Sequence, residues 1–198
     1  MLRVIYFTSD QHFGHTNVIK YCNRPFQDVV EMNQELVRRH NVIVKAEDTV
    51  FHLGDFSMHP RAVAEFLPQL AGQHHLIMGN HDAIHPCNKR WTKKAGLLTR
   101  QYRDAGFLSV QLNMEFDAMG YGVQLNHMPY LSQEPGEHGL KHLDYRPKDQ
   151  GAWLLHGHVH TQWKQRGRMI NVGVDAWAYT PVSLPEIVEL IKQGPQNL

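Results

Sequence analysis

Short apolar runs of β-branched and aromatic residues punctuate the first half of the chain. Each breaks off into a polar loop, and residues of helical spacing follow. Residues 4–8 stop at Ser9-Asp10, residues 49–53 at Gly54-Asp55, and residues 76–78 at Gly79-Asn80-His81-Asp82. Runs of this make-up read as buried strands. Helices are predicted between them: over 16–22, over a longer stretch capped by Asp28 with Val29, Met32, Leu36 and Val37 at helical spacing, and over 60–70, opened by Pro60. Strand, polar loop and helix in repetition predict an α/β fold whose chemistry gathers at the carboxyl edge of a sheet.

The second half changes character. After a mostly helical stretch over 88–102, alternation over 107–116 and 122–126, with Gly120 between, predicts a hairpin in a second sheet. Residues 128–150 are rich in Gly, Pro, His and charge and read as a long loop, which either covers a site and selects its substrate or decorates the surface. Strands are predicted at 152–156 and 168–172. Ser183 and Glu186 form a capping box, with Pro185 in the first turn, for a last helix reaching about residue 192.

Composition narrows the classes. A chain of 198 residues with 42% hydrophobic content suits one domain, 1–198. Lys plus Arg number 20 against 19 Asp plus Glu, so a formal charge of +1 provides no broad field for a polyanion. Long nucleic acid is therefore not favoured as a partner. Two cysteines, Cys22 and Cys87, form neither a disulfide framework nor a C-x-x-C pair. With no signal-like or membrane-spanning run, the expected compartment is the cytoplasm. Histidine changes the picture: 15 residues dispersed from His12 to His160 are more than turns and surfaces require.

Five segments at predicted strand ends carry hard or borderline metal ligands. They are Asp10-x-His12, Gly54-Asp55, Gly79-Asn80-His81-Asp82, His127 and Gly157-His158-Val159-His160. Carboxylate, imidazole and amide oxygen together suit manganese, iron, zinc or nickel better than a site of oxygen ligands alone. The number of donors suits two divalent ions sharing one carboxylate.

In this order the segments resemble the calcineurin-like metallophosphoesterase superfamily, specifically its compact stand-alone members from bacteria and phages. The likeness extends to Phe7-Thr8-Ser9-Asp10, His12-Phe13-Gly14-His15, Asn23-Arg24-Pro25-Phe26 and Asn171-Val172-Gly173-Val174-Asp175-Ala176-Trp177, so it covers nearly the whole chain. The resemblance implies a four-layer αββα sandwich of two mixed sheets flanked by helices. It also implies that Asp10, His12 and His160 hold one metal, that Asn80, His127 and His158 hold the other, and that Asp55 bridges them. Manganese comes first as cofactor. His81 would face the substrate as proton donor, with Asp82 orienting its ring. The implied reaction is attack on a phosphodiester or phosphomonoester by a metal-bridging hydroxide, with a small nucleotide-like substrate favoured. No P-loop, nucleophile elbow or reactive-cysteine motif points to a rival hydrolase chemistry.

Plainer readings stand beside these. Asp10 or Asp55 alone would be taken for a helix cap, but capping does not explain the neighbouring histidines. His158 and His160, two apart after a strand, are expected in extended backbone on a shared face. His15 and Arg24 are candidates for gripping a phosphate, against helix capping or salt bridging. His52 and His156 read as hydrogen-bonded core, and His40, His59, His74, His75, His85, His138 and His142 as exposed. Trp153, Trp163 and Trp177 read as packing rather than base-stacking residues. The competing function is a metallophosphoesterase-fold scaffold without catalysis. A structural zinc protein is disfavoured because neither cysteine lies in a motif.

Overall fold

The apolar runs become strands. In the computed structural model, which describes residues 3–90, 92–130 and 142–196, β1 (Ile5–Thr8), β2 (Thr49–His52), β3 (Gln73–Ile77) and β4 (Phe107–Gln111) lie parallel, while β10 (Val182–Ser183) pairs antiparallel with β1. The order of this sheet is β10-β1-β2-β3-β4. A second sheet runs β5-β6-β7-β9-β8, from β5 (Asn113–Ala118), β6 (Tyr121–Asn126), β7 (Trp153–His156), β8 (Gln165–Arg166) and β9 (Met169–Asn171). Both sheets are mixed, because β5 and β8 are antiparallel to their neighbours while β6, β7 and β9 are parallel.

Helices flank the sheets as the resemblance implied. The helices α1 (Thr16–Tyr21), α2 (Val29–Ile43), α3 (Pro60–Phe66) and α4 (Ala95–Asp104) bury Val18, Met32, Leu36, Val63, Leu98 and Tyr102 in one cluster with Leu76 and Phe107 of the first sheet. The opposite faces of the strands form the inter-sheet core: Phe7, Phe51 and Ile77 meet Val123, Leu125, Leu155 and Ile170. Phe116 of β5 stands edge-on to Phe7 at 5.4 Å and to Phe51 at 5.5 Å. Helix α5 (Leu184–Gln193) adds Ile187, Val188 and Ile191 to this core and packs against β10 and β1. Each such side chain contributes about 1.5–3 kcal/mol through burial. The expected capping box is present: Ser183 Oγ accepts the Glu186 N–H, and Glu186 accepts the Ser183 N–H at 2.9 Å.

Several boundaries differ from expectation: β3 begins at Gln73 rather than at residue 76, and the helical stretch expected over 88–102 is a 3-10 turn at Thr92–Lys94 followed by α4. The alternating run 107–116 is two strands, because the chain bends at Leu112 and passes from the first sheet to the second. The helix expected over 60–70 ends at Phe66 and tightens into a 3-10 turn, since Pro68 has no N–H for the next helical bond. No helix among the described residues is long and apolar enough to cross a membrane.

The parallel strands bring the carboxyl ends of both sheets to one edge. Ser9, just past β1, bridges Gly173, just past β9, and the Ser9 hydroxyl donates to Leu53 O at 2.8 Å. Loops from both sheets therefore close on one another beyond the strand ends.

Candidate metal centre

The loops that carry the motif residues are held in unfavourable backbone. Asp10 (φ 59°), His12 (φ 53°), Asp55 (φ 54°), His158 (φ 72°) and His160 (φ 48°) are all left-handed without being glycine. Such conformations cost about 1 kcal/mol or more each and persist where surrounding structure overrides them. Here the overriding bonds run between loops: the Asp10 N–H donates to Gly54 O and the His12 N–H to Asp55 O, both at 3.0 Å. Close approach does the rest, since a Cβ at Gly79 would overlap Asp55 and one at Gly157 would overlap Ser9 Oγ and Asp10 Oδ2.

This backbone brings the seven motif residues to one edge of the sandwich. Asp10, His12 and His160 each present a donor atom within 4.8 Å of one another, and so do Asp10, Asp55 and His127. Asp55 Oδ2 lies 3.6 Å from His12 Nε2 and 3.3 Å from His127 Nε2, reaching both halves of the cluster. His160 stacks on His12 with ring centroids 5.3 Å apart, and His158 lies 5.3 Å from His127. His127 Nδ1 bonds Leu53 O at 2.7 Å, which makes Nδ1 a donor and turns Nε2 into the cluster.

The donor set fits a cation. Among the described residues, both ring nitrogens of His12, Oδ1 of Asn80 and Nε2 of His127 are buried without a hydrogen-bond partner. His127 Nε2 is near Asp55 but misaligned for a hydrogen bond. Leaving several polar atoms unpaired in one buried spot costs about 1–3 kcal/mol apiece. Charge tells the same story. Burial opposes protonation of His127, yet Asp55 outweighs it and lifts the ring to about 9. At His160 burial is likewise outweighed, by Asp10 and the Asp175 hydrogen bond, and the ring rises to about 11. Asp55 is held well below the usual carboxylate range despite burial, chiefly by His127. At His12 and His158, by contrast, burial prevails and holds both rings well below their ordinary value.

A profile described as the calcineurin-like phosphoesterase superfamily domain matches residues 4–181. The chain belongs to that superfamily. An uncharacterized protein of Methanocaldococcus jannaschii is 33% identical over 203 residues, spanning 98% of this chain and 94% of its own length. The gene 66 protein of Mycobacterium phage L5 is 32% identical over 196 residues, spanning 94% of this chain and 93% of its own. The crystal structure of a protein of unknown function from Aquifex aeolicus superposes with a TM-score of 0.69 at 27% identity, covering 96% of this chain and all of that one. Membership in the calcineurin-like phosphoesterases supports metal-dependent phosphoester hydrolysis, and the Asp and His groups able to hold metal agree with it.

Against this phosphoesterase frame, several expectations change. Asp82 does not orient His81. It is fully buried and accepts four backbone N–H groups, from Asp55, Phe56, Ser57 and Gly79, so it fixes the loop bearing Asp55. Burial and the Asp55 charge push its carboxyl up to about 7 against those donors. Arg24 does not offer its guanidinium to a phosphate either. Its donors go to both Asp175 oxygens, to Gln11 O, to Asp10 O and to Met32 Sδ, and its side chain is buried behind the cluster. His158 and His160 are left-handed rather than extended, so the loop and not the strand pleat sends one ring toward His127 and the other toward His12.

Other expected contacts are compatible with the geometry. His81 is exposed at the mouth, its ring 5.4 Å from that of His12, and its N–H donates to Asp55 Oδ1 at 2.8 Å. His15 makes no cap bond to α1 and lies 5.4 Å from the His12 ring. The tryptophans pack: Trp153 and Trp177 border the inter-sheet core, and Trp163 borders Tyr130, Leu154 and Met169 on the outer face of the second sheet. Of the long loop, residues 131–141, including His138, lie outside the described residues. His40, His74 and His85, expected on the surface, are buried. The sequence reading assigns no role to Asp175 and expects His142 to be exposed. Asp175 sits in a quoted segment, where the resemblance gave it no role of its own. His142 is half-buried and close enough to His81, Asp55 and His127 for their charges to act on it, though nothing in its sequence neighbourhood marks it.

Proposed function

We propose that this phosphoesterase hydrolyses small phosphate esters at a binuclear centre. Asp10, His12 and His160 hold one divalent cation, Asn80, His127 and His158 hold the other, and Asp55 is shared. The observation that carries the reading is the set of buried, unpartnered donor atoms on His12, Asn80 and His127 gathered about Asp55. Bound there, manganese, iron, zinc or nickel would supply Lewis-acid stabilisation of the phosphoryl oxygens and an activated water.

The chain's own groups do the rest. Leu53 O keeps the His127 lone pair aimed inward, and Asp82 holds the loop that presents Asp55. His81, exposed at the mouth and tied to Asp55 through its N–H, is the group that gives a proton to the leaving oxygen. Arg24 is turned away from the cluster, and a small nucleotide-like ester is the substrate class. We read residues 1–198 as one catalytic domain, and the free thiols Cys22 and Cys87 suit a reducing cytoplasm.

The test is turnover of bis(p-nitrophenyl) phosphate and p-nitrophenyl phosphate across manganese, nickel, zinc and iron(II), with Asp55→Asn as the blank. Loss of the shared carboxylate is expected to cost about 4 kcal/mol of barrier, or roughly 1000-fold in rate. No turnover above the chelated control in any metal would overturn the proposal.

A further inference from the structure

Behind one half of the cluster lies a second layer that the proposed reaction leaves unexplained. Arg24 and Asp175 form a buried ion pair whose side chains are both 0% exposed, with Nε to Oδ1 at 2.8 Å and Nη2 to Oδ2 at 2.9 Å. A buried bidentate pair of this kind is retained at a desolvation cost, and swapping it for apolar side chains is often neutral or better for stability. What it touches suggests a use. Asp175 Oδ2 also accepts the Nδ1–H of His160 at 2.8 Å, so Nε2 is the nitrogen facing Asp10 Oδ1, 3.9 Å away. The same guanidinium donates to the carbonyls of Asp10 at 2.6 Å and Gln11 at 3.0 Å, which lie between the α-carbons of the left-handed residues Asp10 and His12.

The pair thus links the loop after β1, in the first sheet, to the loops after β7 and β9, in the second. Cys22 stands beside the same ring, with a donor atom within 4.8 Å of His160 and Asp175. The other half of the cluster is held by other bonds: His127 by Leu53 O, the Asn80 loop by Asn88, whose amide donates to Asn80 O at 3.0 Å and Asp82 O at 2.8 Å, and His158 by its own N–H, which donates to Asp10 Oδ1 at 3.1 Å and Oδ2 at 3.0 Å. None of those bonds involves Arg24 or Asp175.

We propose that Arg24 and Asp175 are positioning residues for one cation site alone, the one built from Asp10, His12 and His160. They set its affinity while leaving its neighbour unchanged. The inference rests on the binuclear reading above. Hydrogen-bond partners behind a ligating histidine fix its tautomer and raise its basicity, and their loss typically lowers metal affinity about 10- to 100-fold. Asp175→Asn keeps the shape but sets an amide N–H against the guanidinium or removes the His160 acceptor. Arg24→Lys keeps the charge but loses the fork that spans both oxygens and two carbonyls.

Manganese binding is measured by calorimetric titration, metal analysis and electron paramagnetic resonance on the metal-free full chain. The wild type is expected to take up two ions with an exchange-coupled spectrum. Each variant is expected to retain one ion at wild-type affinity, bind the second about 10- to 100-fold more weakly, and show a mononuclear six-line signal at one equivalent per site. If Arg24→Lys does not fold, Asp175→Asn carries the test, because it preserves the bonds to the two carbonyls. Two ions bound at wild-type affinity in folded variants, or both weakened equally, would overturn the inference and leave the pair a plain cross-link. A wild type that takes up a single ion would sink the binuclear reading, and the selectivity claim with it.

Discussion

The protein buries two knots of histidine and treats them oppositely. At the sheet edge, His12 and His127 keep ring nitrogens unpaired against carboxylates. Under α2, His52, His74 and His40 lie as deeply but their rings are hydrogen-bonded. The Gln11 amide donates to His52 Nδ1 at 3.0 Å, His52 Nε2 donates to His74 Nδ1 at 3.0 Å, His74 Nε2 donates to Leu70 O at 3.1 Å, and His40 Nε2 donates to Ala71 O at 2.8 Å. That chain is consistent only with neutral rings, because a side-chain amide nitrogen can only donate. Burial alone thus does not mark a metal ligand; unanswered nitrogens beside carboxylates do.

The contrast can be broken most strongly with acid. Burial holds His40 down to about 4, well below its ordinary 6.5, and it drives His52 and His74 down too. A depressed histidine binds its proton more readily in the unfolded chain, so stability falls as pH drops from 6.5 toward 4. The shift of His40 corresponds to about 3 kcal/mol once both states are protonated. Urea unfolding in chelator across that window is expected to show the decline, and His40→Gln is expected to make it shallower. A pH-independent midpoint would refute the neutral-ring assignment.

Metal addresses the other knot. A cation held a hundredfold above its dissociation constant stabilises the folded chain by about 2.7 kcal/mol per site. Thermal unfolding with excess manganese is expected to rise in the wild type and to respond far less in Asp55→Asn, while His52→Leu responds fully. Equal responses in all three would place the ions elsewhere. The smallest expected effect is His52→Leu itself: Gln11 and His74 each lose a partner in the interior, at about 2 kcal/mol in total, read as a lowered urea midpoint with unchanged manganese stoichiometry.

Much of this arrangement was legible in the residues. The runs ending at Asp10, Asp55 and Asn80 gave β1, β2 and β3 and put polar groups at one edge, and Asp28 and Ser183 cap α2 and α5 as their spacing predicts. Other features carried no local signal. Gln111-Leu112-Asn113 keeps the alternation going, so nothing in the pattern reveals that β4 and β5 belong to different sheets. The two-residue strands β8 and β10 are too short to have a period. His74 sits in a strand that polar residues disguise, and His40 on a helix face that its neighbours do not mark as buried. For Asp82 and Arg24, adjacency to the motifs was read as contact with substrate or catalyst; both turn away from the mouth, because the loops they brace hold more unmet backbone donors and acceptors than local hydrogen bonds can satisfy.

Strand β10 also has a temporal consequence. β1 gains β2 as soon as residue 52 is made, but its other edge stays open until residues 182 and 183 arrive to pair with Tyr6 and Phe7. During synthesis the first strand therefore waits, unsealed, from residue 52 until residue 182 has been added. Asp10 can join His160 and Asp175 only in that same late interval. The edge that brings Asp10, His160 and Asp175 together is thus among the later parts of the described fold to be completed.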